Sequence, residues 1–322
     1  REEAPPSWSC ISCTDQPFRG KFPCGFESAR EGGGSPQHSH QASSAIGQNM
    51  ESCNQRGSTT LVRTSANHTH DVPSVTVQYA SSLPPYRNLK MIKSDMPTLR
   101  LPQGAIIMLD QSDVPAGFTR YTAQDGYFIR ADSAPGKGGQ DTHFHIVDIE
   151  VGPATPVDYA CEHSCSCYTA ERNHDHTGYS THESTPASNI PPYVQVVLAQ
   201  VDDPEGVEVP EGAILMSDER PGPGWEILSA EPGQPFYKRF LKADSTPDMS
   251  RDLGTRSHTH DQTTSEISAP IQGEPRGITT GGSGSLAAQD HTHPVIITFD
   301  NEPVPHIPPF HTVIIAKKVS DN

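Results

Sequence analysis

Apolar residues along this chain come in short runs, not in helical stripes. Val75-Thr76-Val77-Gln78-Tyr79, Val194-Gln195-Val196-Val197-Leu198 and Val295-Ile296-Ile297-Thr298-Phe299 are rich in β-branched and aromatic residues and are bounded by Pro, Gly and Asp. Such runs read as strands, while a period of 3.6 is almost absent. Glu31-Gly32-Gly33-Gly34-Ser35 and Gly281-Gly282-Ser283-Gly284-Ser285 read as loops. Short strands with a turn signal roughly every dozen residues predict an all-β chain of sandwich- or barrel-like modules with long loops and little helix. No apolar run reaches the ~18 residues of a bilayer span, so membrane insertion is not expected.

The pattern repeats. Pro102-Gln103-Gly104-Ala105-Ile106-Ile107-Met108 returns as Pro210-Glu211-Gly212-Ala213-Ile214-Leu215-Met216, and Pro115-Ala116-Gly117-Phe118 as Pro223-Gly224-Trp225. Phe128-Ile129-Arg130-Ala131-Asp132 returns as Phe240-Leu241-Lys242-Ala243-Asp244, and Ile190-Pro191-Pro192-Tyr193 as Ile307-Pro308-Pro309-Phe310. Leu83-Pro84-Pro85-Tyr86 marks a third, shortened copy, in which a Cys-rich segment from Arg1 to Cys24 stands in place of the Gly-Ala-Ile strand. Self-similarity of this kind defines three tandem modules: residues 1–93, 102–201 and 210–319. Linkers are expected at Ser94–Leu101 and Asp202–Val209.

Each copy carries two His-x-His pairs: His38/His40 and His68/His70, His143/His145 and His174/His176, His258/His260 and His291/His293. The two pairs of a copy are 30, 31 and 33 residues apart, so twelve of the sixteen histidines hold repeating positions. In a strand, residues i and i+2 face the same side, and imidazole is the commonest metal ligand. Convergent pairs suit zinc, iron, copper or nickel. Two pairs on neighbouring strands make a four-His site, and three around an axis make a six-His site; a ladder of stacked rings without metal is the alternative. His163, His182, His306 and His311 have no recurring partner and read as ordinary surface or core residues.

Composition narrows the partners. The net charge of −16 repels phosphate, which argues against nucleic acid and favours divalent cations. With 33% hydrophobic residues the core is thin. Seven cysteines in two clusters, Cys10/Cys13/Cys24/Cys53 and Cys161/Cys165/Cys167, are expected to staple it by pairing within each cluster in an oxidising compartment. Cys165 and Cys167, two apart, are poor partners for each other. Cys10-x-x-Cys13 lacks the following His of a haem site and the βαβ setting of a redox motif; zinc is its alternative ligand. Asn67-His68-Thr69 is a weak glycosylation sequon. These features point to an extracellular, secreted protein, although the sequence carries no signal peptide. No nucleophile elbow, phosphate loop or zincin helix is present, and no enzyme is expected.

In order and spacing, Pro-x-Gly-Ala-Ile-x-Met, Pro-Gly-Trp, Phe-Leu-Lys-Ala-Asp, two His-x-His pairs and Pro-Pro-Tyr/Phe resemble the phage tail collar and tail-fibre tip family, over most of 20–319. The resemblance implies a β-rich fibre module in which His-x-His pairs from three intertwined chains hold metal ions on the axis. This chain departs in carrying three modules and many cysteines. The reading is therefore a structural subunit of an extracellular filament, a homopolymer formed by strand exchange into copy one or by Arg1–Cys24 reaching out. The alternative is a tip or adhesin binding surface glycans through the Cys161–Tyr179 loop. Because the linkers are short, metal sites are expected within each copy, three per chain, with acid release near pH ~6.5.

Overall fold

The computed structural model describes residues 4–47, 62–63, 69–96, 100–151, 154–155, 168–169, 179–250, 252–269, 291–300 and 302–319. These residues are all-β, with a six-stranded mixed barrel, many small sheets and, among them, no α-helix. One 3-10 turn, Thr122–Gln124, is present among these residues. None of their helices is long and apolar enough to cross a membrane. The predicted runs form strands: Ser74–Val77, Tyr193–Val201 and His291–Phe299.

Three parallel pairings organise the barrel, and each joins two different copies. Tyr86–Leu89, which closes copy one, lies beside Phe128–Ala131 of copy two. The closing strand of copy two begins beside Phe240–Ala243 of copy three. That of copy three, Phe310–Lys318, begins beside Phe22–Gly25 of copy one. The inner strands then meet one another antiparallel, at Phe128↔Lys242, Cys24↔Phe240 and Lys21↔Ala131. The three copies thus wrap one pseudo-threefold axis. Phe22, Phe128 and Phe240, one per copy, are fully buried on it, packed by Tyr86, Tyr193 and Phe310.

Intertwining does not tax the linkers. The closing strands of copies two and three are nine residues long, about 30 Å at ~3.3 Å per residue. Each crosses from its neighbour's inner strand back to its own Gly-Ala-Ile strand: Ile106–Leu109 pairs with Val197–Gln200, and Ala213–Ser217 lies along Ile314–Lys317. The two linkers themselves pair at Arg100–Leu101 and Val207–Glu208.

Copy one is more complete than its sequence suggests. Trp8↔Ser94 matches Phe118↔Val201 and Trp225↔Lys318 in register. Pro5-Pro6-Ser7-Trp8 is therefore the counterpart of Pro115-Ala116-Gly117-Phe118, with Ser7 in the left-handed conformation (φ 63°) that glycine holds at Gly117 and Gly224. Phe22–Gly25 is the counterpart of Phe128–Ala131 and Phe240–Ala243. Residues 4–24 are built into the fold of this chain, Trp8–Cys10 against Ile92–Ser94 of copy one and Phe22–Gly25 against strands of copy three. The Gly-Ala-Ile counterpart is not among the described residues, and among those residues Ile92–Ser94 pairs on one edge, with Trp8–Cys10.

Cys10 is bonded to Cys13. Cys24, expected in a disulfide, is a free thiol buried among the axial aromatics. Its place on an inner strand puts packing partners around it rather than another sulfur, and burial pushes its thiol strongly up. Cys53, Cys161, Cys165, Cys167 and Asn67 lie outside the described residues.

One glycine position fixes the approach between copies. Gly34, Gly139 and Gly254 all have φ near +70°, and a Cβ there would stand 2.0, 1.9 and 2.1 Å from the carbonyl oxygens of Pro308, Pro84 and Pro191 of the preceding copy. Four residues after each glycine comes a His-x-His pair. Gly139→Ala is expected to destabilise the protein by on the order of 3 kcal/mol, since strain at positive φ adds to a backbone clash. Urea unfolding of the variant beside wild type measures this.

Candidate metal centre

Beyond those glycines the chain runs in a short strand that pairs within its own copy. Gln37–His38 lies against Ala80–Ser81, Thr142–His143 against Ala187–Ser188, and Ser257–His258 against Val304–Pro305. Where this arm leaves the glycine it is also tied to the preceding copy: Ser35, Gln140 and Thr255 donate their N–H groups to the carbonyls of Ile307, Leu83 and Ile190. The three arms converge, and both rings of every first pair turn inward, as period-2 geometry requires.

The result is two stacked triangles of imidazoles. His38, His143 and His258 have ring centroids 4.6, 4.6 and 4.9 Å apart. His40, His145 and His260 are 4.9, 4.9 and 4.7 Å apart. The second triangle faces Phe299 and an apolar layer containing Ile46, Val147, Ile149, Val295 and Ile297. Five of the six residues are buried and His258 is half-buried.

The expectation of sites within each copy is thus corrected: the first pairs of all three copies meet on one axis. The second pairs follow the same rule where they are described. His70 of copy one and His293 of copy three, both buried, have ring centroids 4.9 Å apart. His68, His174, His176 and the ring of His291 lie outside the described residues.

The donor set fits an ion. Two quartets, His38/His40/His145/His258 and His143/His145/His258/His260, each place their ligand nitrogens within 4.8 Å of one another and could hold a metal. They share His145 and His258, so the two quartets overlap. His145 Nδ1 donates to the Gln78 carbonyl (2.8 Å) and His260 Nδ1 to that of Thr185 (2.6 Å). A carbonyl only accepts, so Nε2 of both rings is a bare lone pair, and neither has a hydrogen-bond partner. His258 Nε2 lies 3.2 Å from His38 Nε2 and 3.1 Å from His40 Nε2. Nitrogens bound at ~2.0–2.1 Å to one ion stand ~2.9 Å apart at right angles and ~3.4 Å apart in a tetrahedron. The observed separations fall between. Orphaned buried polar atoms each cost roughly 1–3 kcal/mol, which a cation would offset.

Electrostatics agree. Burial, then the neighbouring imidazoles, lowers His38 and His143 to about 3, His40 to about 4 and His258 to about 2. The rings are therefore neutral at pH 7, the form that ligates.

Of the histidines without a recurring partner, His311 packs its ring on Phe18 and His182 meets Ser180 Oγ; His163 lies outside the described residues. His306 is not an ordinary core residue: its Nδ1 stands 3.0 Å from His258 Nδ1. Aligning the copies on Leu83, Ile190 and Ile307 places His306 with Ser82 and Asn189. Sequence identity hides that position, since the three residue types differ. No protein-family model, no curated protein and no solved structure matches this chain.

Proposed function

We propose that this chain is a structural subunit of an extracellular fibre, similar to tail-fibre tips, whose pseudo-threefold core is clipped by a transition-metal ion. One observation carries the reading: six imidazoles, two from each copy, converge in a buried interior capped on one side by the apolar layer around Phe299. Six nitrogens saturate an octahedral ion and leave no position for a substrate, which makes the role structural and not catalytic. In the resembled family three chains supply these pairs; here one chain supplies all three. Iron(II), nickel(II), zinc(II) and copper(II) all accept imidazole. The Cys10–Cys13 disulfide supports an oxidising, secreted setting.

Polymer growth is supported by the edge of Ile92–Ser94. The matching edges in copies two and three carry Ile106–Leu109 and Ala213–Ser217, so a Gly-Ala-Ile strand of another copy fits there. Such a head-to-tail contact does not close and builds fibres. Electron microscopy of the concentrated protein is expected to show filaments, and elemental analysis a stoichiometric transition metal. A monomer that forms no polymer at high concentration overturns the filament. A second reading, a glycan-binding tip, is favoured by the exposed aromatics Tyr79 (71%) and Phe144 (46%); binding on a glycan array by a protein that does not polymerise would select it.

A further inference from the structure

We propose that one repeated position, occupied by Ser82 in copy one and His306 in copy three, sets which nitrogen of His38 and His258 faces the axis, and that His306 is a positioning residue for the metal. This rests on the metal reading above and concerns how that site is held.

The rings are held in different ways. Two second rings are oriented by main chain, His145 on Gln78 and His260 on Thr185, both from the preceding copy, whereas His40 Nδ1 has no hydrogen-bond partner. The first ring faces a side chain of its own copy. Ser82 Oγ is 2.9 Å from His38 Nδ1, and His306 Nδ1 is 3.0 Å from His258 Nδ1. Asn189 is buried at the same position in copy two, where neither its amide nor the His143 ring has a hydrogen-bond partner.

The backbone explains why this position reaches the ring. Ser82, Asn189 and His306 donate their N–H groups to the carbonyls of Pro36, Asp141 and Arg256, each two residues before the first histidine of its pair, at 2.9, 2.8 and 3.1 Å. All three side chains are buried, with 1% or less exposed. They contribute no axial ligand, and a merely space-filling position would need no polar residue in every copy.

His306 constrains its partner in a way that serine does not. Its Nε2 faces the Ile190 carbonyl at 3.5 Å. A carbonyl only accepts, so the His306 proton sits on Nε2 and its Nδ1 is an acceptor. His258 must then donate from Nδ1, which leaves its Nε2 bare and aimed at the Nε2 atoms of His38 and His40. A ring that turned over would present N–H to the ion and could not ligate. Outer partners of this kind hold both tautomer and orientation.

Cobalt(II) titration of the whole, metal-stripped chain, followed by its visible absorption, tests the proposal. His306→Val is expected to bind cobalt about 10–100-fold more weakly than wild type, whereas His306→Asn, whose amide oxygen can accept from His258 Nδ1, stays within about threefold. Both metal-free variants are expected to unfold at similar urea concentrations, which separates positioning from packing. Equal affinity of His306→Val and wild type overturns the proposal, and so does an equal loss in both variants. Should His306→Val fail to fold, Ser82→Ala, which removes a single oxygen, carries the test: unchanged cobalt affinity overturns it. Wild type that takes up no cobalt overturns the metal reading, and this proposal with it.

Discussion

Replacing His143 and His145 together by alanine is expected to empty the whole first-pair site, not one site in three. The two quartets share His145 and His258, and each loses at least one ligand. Copies one and three lose the ion along with copy two, although their own histidines are intact. Free metal at about 100 to 1,000 times its Kd stabilises a folded protein by roughly 3–4 kcal/mol, and that increment disappears in the variant. The metal-free state changes less, because losing the orphaned ring nitrogens offsets part of the cavity and of the freed Gln78 carbonyl that the missing rings leave. Elemental analysis with thermal unfolding, before and after chelation, reads both effects. Loss of one ion in three, with copy three equally stable, would restore sites confined to single copies.

Acid is expected to unfold the protein cooperatively below pH ~6.5, with metal release and unfolding in one transition. The folded histidines titrate far below the unfolded value of ~6.5, His38 and His143 at about 3 and His40 at about 4. Between these limits the unfolded chain binds protons that the folded chain refuses. Stability is therefore fully present above pH ~6.5 and falls as pH drops towards the folded values. Each such histidine contributes up to ~1.4 kcal/mol per pH unit, so His38, His40, His143 and His258 together give a slope on the order of 5 kcal/mol per unit. This corrects simple release at pH ~6.5, which ignored burial. Circular dichroism and metal content measured across pH 7 to 3 check it; metal leaving near pH 6.5 from a still-folded protein would contradict the buried site.

Strand type and ring direction were legible in the sequence because both are local. β-Branched runs such as Val194–Leu198 become strands wherever they are placed, and period-2 geometry turns both rings of a His-x-His to one side. Three copies, an all-β chain and a histidine site capable of holding metal follow from those rules and from the spacing of the pairs. What the strands pair with is a different kind of fact. The match of Tyr193 to Phe240 joins residues from two copies, and no local signal distinguishes that partner from one in the same copy. Linker length misled for the same reason, because the crossing is made by the strand Tyr193–Val201 and not by the linker.

Copy one shows where pattern reading stops. Phe22-Pro23-Cys24-Gly25 shares only its phenylalanine with Phe128-Ile129-Arg130-Ala131, yet it fills the same place on the axis. The barrel requires an aromatic first and a small residue fourth: a Cβ on Gly25 would already lie 2.2 Å from the Phe236 carbonyl oxygen. Cys24 could not be sorted from Cys10 and Cys13 by spacing, since a disulfide needs two Cα atoms within ~7 Å and that is set by the fold. His306 stayed hidden because its role depends on facing His258 across a register, not on any residue type shared with Ser82 or Asn189. The sequence alone determined the strands, their inward faces and the chemistry they carry. Which faces meet, and so the single axis with its six imidazoles, was decided only by tertiary structure, through long-range pairings that must close around three copies at once.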